Sequence, residues 1–169
     1  IIETTSHAIK QYRNWGIKYL AVSMTNVTHE HLDYHKTFDN YLATKLRLFQ
    51  NKPRVTVVNA DDENYEKFTR FTTGRLLTYC RKKRADVTAR KMLSAVDGTM
   101  FTLVTPTVQV TVDFHLPAGF NVSNALCAAS ICYGLKIDIS DIKKGLEKIK
   151  SIPGRLEKID KGQDFVAMI

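Results

Sequence analysis

Residues 25–49, TNVTHEHLDYHKTFDNYLATKLRLF, place His29, His31 and His35 behind a strand-like apolar run, with Lys45 further on. At 100° per residue, Thr37–Phe49 reads as a helix whose Phe38, Tyr41, Leu42, Leu48 and Phe49 form one apolar stripe. Lys45 falls in the middle of that stripe. Burying an ammonium without a partner costs several kcal/mol. Two readings stay open. The side chain snorkels out or pairs with Asp33 or Asp39; or it stands at a polar cleft, neutral or chemically modified. A carboxylate such as Glu3 and a neutral imidazole such as His31 could share a metal. Mg²⁺ prefers oxygen and keeps several waters, so one histidine is tolerated but diagnoses nothing. His29 and His35 read as surface or hydrogen-bonded residues, and for His31 the bland and the functional readings weigh equally.

A second group sits at Gly119–Ala128, GFNVSNALCA, which opens a helix. Asn121, Asn124, Ala125 and Ala128 fall on one face: two amides above small residues, a shape that suits a flat hydrogen-bonding ligand such as a base. Helix capping by Asn121 with close packing is the plainer account of the same spacing.

These groups need a frame. The chain has 169 residues, 44% of them apolar, about one domain with enough material for a core. Strand and helix signals alternate at first. The expected order is a strand ending at Glu3, a helix over Ser6–Arg13, a strand over Leu20–Met24, the Thr37–Phe49 helix and a strand over Arg54–Val58. A helix capped by Asp61 or Asp62 then runs to about Phe71, followed by a strand over Leu76–Tyr79. That alternation implies a parallel sheet covered by helices. Ligands of such sheets sit beyond the carboxyl ends of the strands, where Glu3, Thr25-Asn26, His31 and Lys45 can all meet. The pattern then changes. Asp86–Leu93, Met100–Val104 and Val108–Phe114 alternate, and Asp97-Gly98 signals a hairpin, so an antiparallel element is expected. Helices over Phe120–Leu135 and Ser140–Ile149, the latter capped by Ser140, precede a Pro153-Gly154 break and two closing strands.

The net charge of +8 points to an anionic partner. The run Arg81-Lys82-Lys83-Arg84 reads as a solvated turn rather than a nucleic-acid patch, since no aromatic residues interleave it. Cys80, Cys127 and Cys132 are an odd set with no CxxC spacing, which argues for reduced thiols and against a disulfide framework or a zinc site.

Taken in order, ETTSH at Glu3–His7, TNVTHEHLDYH at Thr25–His35, YLATKLRLF at Tyr41–Phe49, NADD at Asn59–Asp62, LPAGFNVSNA at Leu116–Ala125 and PGRLE at Pro153–Glu157 resemble the Mur ligase family. The ending HLDYH is most similar to the branch that adds the third residue of the peptidoglycan stem peptide. The resemblance implies the fold of that family's central ATP-binding domain and an ATP-dependent amide-forming ligase of the bacterial cytoplasm. Its substrates would be UDP-N-acetylmuramoyl-dipeptide, ATP and an amino acid. It implies Mg²⁺ held by Glu3 and His31, and a Lys45 converted by CO₂ to a carbamate that helps hold a second Mg²⁺, which would explain the inward lysine. Thr5, Gln11 and Arg13 match positions that contact the UDP-linked substrate; Asn121 and Asn124 match adenine-side asparagines, and Arg155 an arginine near the ATP phosphates. A monomer is expected, with neither nucleic acid nor membrane as a partner. Thr5 stands where serine is usual, and Ala118-Gly119 shifts the usual glycine by one. No GxxGK[ST] phosphate loop occurs in these residues. Residues 1–169 are therefore expected to be most of the ATP-binding domain, without its first strand and phosphate loop, the UDP-binding domain or the amino-acid-binding domain. Alone they would be inactive and bind ATP weakly. Two alternatives remain: a Mur-type ligase acting on another carboxylate, folylpolyglutamate-like or lipid II-modifying, or a non-catalytic basic module that binds nucleic acid.

Overall fold

The computed structural model describes residues 1–28, 32–153, 156, 158–159, 161–165 and 167–168. Six strands form one sheet in sequence order: β1 (Ala21–Met24), β2 (Val55–Asn59), β3 (Arg75–Cys80), β4 (Val87–Ala95), β5 (Gly98–Val104) and β6 (Gln109–Phe114). The first four run parallel, and β4, β5 and β6 are antiparallel, so both halves of the expected sheet are present. The helices are α1 (Ser6–Lys10), α2 (Leu32–His35), α3 (Phe38–Phe49), α4 (Tyr65–Thr69), α5 (Gly119–Gly134) and α6 (Ile139–Glu147). A two-stranded ribbon, β7 (Lys158–Ile159) with β8 (Ala167–Met168), closes the chain.

The sequence of β2, VTVVN, is buried at every position because helices cover both of its faces. Val55 and Val57 pack with Val122, Ala125, Leu126 and Ala129 of α5, while Val58 packs with Leu42, Phe49 and Phe68 on the opposite side. α5 lies so close to the sheet that a Cβ at Gly134 would run into Val55. The antiparallel half is covered on one face only, and its strands alternate accordingly.

Five local expectations are corrected. Ile1–Glu3 is exposed chain, not the end of a strand. A strand needs a paired neighbour, and among the described residues β1 pairs only with β2. α1 stops at Lys10, short of Arg13, because Tyr12 adopts φ +56° in the left-handed region. Asp61 and Asp62 do not cap α4; Asn64 occupies the cap position without a side-chain bond. α6 is capped by Asp138, whose carboxylate accepts from the Ser140 amide at 2.8 Å, and Ser140 is already helical. The hairpin turn is Val96-Asp97, with Gly98 already paired to Ala95.

Candidate functional site

The carboxyl ends of β1, β2 and β3 are stitched together by Asn59–Asp62. The Asn59 amide donates to the Thr25 carbonyl at 2.7 Å and its Oδ1 accepts from the Asp61 amide at 3.0 Å. Asp62 accepts from the Val27 amide at 2.7 Å and from the Asn64 amide at 2.8 Å. Asp61 accepts from the amides of Arg81 at 2.7 Å and Lys82 at 3.2 Å. Carboxylate-to-amide bonds of this kind contribute about 1.5–3 kcal/mol each. Three strand-end loops therefore hang from one tetrapeptide. Capping alone does not account for Asn59–Asp62; polar Asx residues directly after an apolar strand are the signal in the sequence for this bridging role.

Lys45 is half-buried on α3 and does turn inward. Its Nζ donates to the Asn26 carbonyl at 3.4 Å and lies 4.9 Å from the centre of the Tyr41 ring. The residue is thus brought to the carboxyl end of β1. Thr37 caps the helix, accepting from the Asn40 amide, and fixes where the stripe begins. No ion pair to Asp39 forms, and the Asp33 side chain lies outside the described atoms.

Across from α3 lies α1, which packs on it. Thr5 caps α1, its Oγ1 accepting from the Ala8 amide at 3.2 Å, and Glu3 is exposed just ahead of it. Gln11 donates to the Tyr34 hydroxyl at 3.3 Å, and Arg13 is exposed. Between these helices sits a buried imidazole–aromatic cluster. His35, 2% exposed, places Nε2 3.0 Å from Ser6 Oγ, and its ring meets those of Tyr34, Tyr41 and His7 at 5.1, 5.4 and 5.8 Å. His35 is hydrogen-bonded, as expected. His29, His31 and Arg155 fall outside the described residues.

The two asparagines of α5 separate. Asn121 is 2% exposed and donates to the Pro117 carbonyl at 2.7 Å; Asn124 faces solvent. Asn121 thus fixes the turn into α5, the plainer of its two readings, and of the two only Asn124 is exposed. At the same turn Ala118 adopts φ +70°, and a Cβ on Gly119 would collide with the Arg81 guanidinium. Arg81 is therefore held under the start of α5, unlike its exposed neighbours Lys82, Lys83 and Arg84.

Among the described residues no three His, Cys, Asp or Glu side chains gather into a ready-made metal cage. Of the side chains expected to hold Mg²⁺, the described residues include the exposed Glu3 carboxylate and Lys45, which would supply an oxygen only as a carbamate. These hard-oxygen donors fit an ion that keeps most of its waters. No helix among the described residues is long and apolar enough to cross a membrane.

A family model for the Mur ligase middle domain matches residues 1–132. The chain is 38% identical to the UDP-N-acetylmuramoyl-L-alanyl-D-glutamate–2,6-diaminopimelate ligase of Bacillus licheniformis, over 100% of this chain and 36% of that protein. It is 37% identical to the UDP-N-acetylmuramyl-tripeptide synthetase 2 of Oceanobacillus iheyensis, over 94% and 34%. A solved structure of a UDP-N-acetylmuramoyl-L-alanyl-D-glutamate–2,6-diaminopimelate ligase superposes with a TM-score of 0.86 at 27% identity, covering 94% of this chain and 34% of that one. The chain spans about a third of the length of the curated relatives it matches.

Proposed function

Because the chain belongs to the Mur ligase family, we propose that it forms most of the ATP-handling domain of a ligase that joins an amino acid to UDP-N-acetylmuramoyl-dipeptide. The observation that carries this reading is likeness along the whole chain to named ligases of that step.

The chemistry needs no enzyme nucleophile. A carboxylate oxygen of the dipeptide attacks the γ-phosphorus of ATP, the bond to the bridging oxygen breaks, and ADP leaves. The amine of the amino acid then attacks the acyl carbon. The tetrahedral intermediate expels inorganic phosphate, and the amine proton passes to solvent. What the protein supplies is position and charge. Thr5, Gln11 and Arg13, around α1, would hold the UDP-linked substrate. Asn124 would face the adenine, with Asn121 fixing the turn that presents it. Arg155 would meet the phosphates. Glu3, His31 and a carbamate on Lys45 would hold Mg²⁺, which offsets the phosphate charge when bound. The excess of cations suits substrates that carry several phosphates.

The test is an assay of the full-length protein with UDP-N-acetylmuramoyl-dipeptide, ATP and single amino acids, diaminopimelate first. ADP release and a product heavier by one amino-acid residue are expected. Ligation of glutamate to a folate, with none to the UDP-dipeptide, would replace the reading by a folylpolyglutamate-type one. Salt-sensitive nucleic-acid binding without ligation would replace it by a binding module.

A further inference from the structure

The buried pair Ser6–His35 has no part in the roles assigned above, yet it lies between the segments that hold them. Ser6 opens α1, three residues after Glu3 and directly after Thr5. His35 ends α2, and Tyr41, against which its ring packs, is one helical turn before Lys45 and carries the ammonium on its face. A hydroxyl and an imidazole, both 2% exposed, are costly in a core unless they satisfy each other, and apolar side chains would fill the same space without that demand. What the polar pair adds is direction: a hydrogen bond of 3.0 Å across 29 positions of sequence fixes how α1 sits on the α2–α3 corner. The Asn40 side-chain amide donates through Nδ2 to the His35 carbonyl at 3.3 Å and holds that corner itself.

We propose that His35 is a positioning residue: through Ser6 it sets the Glu3–Thr5 segment against the α3 face that carries Tyr41 and Lys45. What the positioned residues do rests on the ligase reading; the placement is a property of this chain. The bond is directional, so a side chain that fills the space without an Nε2-like group must fail, and glutamine, which places an amide nitrogen near the same point, must succeed.

The experiment compares Ser6→Ala, His35→Phe and His35→Gln in the full-length protein by hydrogen-exchange mass spectrometry and by steady-state kinetics. In Ser6→Ala and His35→Phe, exchange is expected to rise at least tenfold both in peptides over residues 3–10 and in those over residues 38–45. KM for the UDP-dipeptide should rise about tenfold while KM for ATP stays within twofold. His35→Gln should restore both readouts to near the parent values. Changes confined to residues 3–10, no change at all, or His35→Gln as damaging as His35→Phe would each overturn the proposal. If the parent protein does not ligate, the ligase reading fails, and the exchange data still decide the positioning role.

Discussion

Lys45 shows what residue-scale reasoning reaches and where it stops. Its inward aim follows from spacing alone. What receives it does not, because the Asn26 carbonyl is backbone and leaves no mark in sequence. Only the Tyr41 ring, one turn earlier on the same helix, could have been named in advance. A carbamate forms when the neutral amine bonds to CO₂ and releases a proton, and it offers a hard cation two oxygens. Lys45→Arg keeps the positive charge and blocks that step. Turnover of the full-length protein is expected to fall at least a hundredfold with little change in Tm. Carbon-13 NMR in labelled bicarbonate should show a carbamate signal in the parent that the variant lacks; equal signals in both would remove the role. Ala118 gives a second test at this scale. It occupies a backbone region open almost only to glycine, at φ +70° and ψ 144°. Ala118→Gly should therefore stabilise the protein by about 1 kcal/mol, read as a higher urea midpoint at unchanged slope.

At the scale of elements, strands and helices were legible because their periods are local: alternation along β5 and β6, a 3.6-residue stripe along α3. Caps and termini were less so. Asp61 and Asp62 precede a helical stretch and look like caps, but capping and loop bridging use the same acceptor chemistry, and only distance in space decides between them. Ser140 lost the cap of α6 to Asp138 for a similar reason, two acceptors competing for one helix start. The bridging role has a measurable size. Asp62→Ala leaves the Val27 and Asn64 amides without their acceptor and should cost about 3 kcal/mol or more. The loss should appear first as faster exchange in the loop after β1, at residues 25–28; a variant as stable as the parent would mean that water replaces the carboxylate.

The whole molecule adds a dependence on alkaline pH. Burial pushes the Tyr79 phenol well above its ordinary value, with the Cys127 thiol and the charges of Asp61 and Asp62 adding to the shift. Burial also raises the thiols of Cys80, Cys127 and Cys132. A group with a raised folded-state pKa binds its proton more tightly when folded. Its contribution is complete below the unfolded pKa and is lost as pH rises from there toward the folded value. Stability should hold through neutral pH, decline from about pH 8.5 as unfolded thiols ionise, and steepen above about pH 10 as the unfolded phenol does. Tyr79→Phe should flatten the second part and leave the first; chemical denaturation at a series of pH values checks both. The fold class was legible at this scale from the order of elements. The supposed first strand was not, because pairing is a property of neighbours and Ile1–Glu3 has none among the described residues.

The change from parallel to antiparallel pairing at β4 divides the sheet by the length of chain each contact must close. β5 follows β4 across the two residues Val96-Asp97, and β6 follows β5 through residues 105–108. β2 meets β1 only after residues 25–54 have been threaded past. The entropy of closing a loop rises with its length, and a parallel pair gains nothing until its whole crossover is in place. The meander should therefore assemble first and offer β3 an edge, with β2 and then β1 added in reverse order of sequence. Pulse-labelled hydrogen exchange during refolding would show amides of β4–β6 protected ahead of those of β1; protection of β1 first would reverse this order.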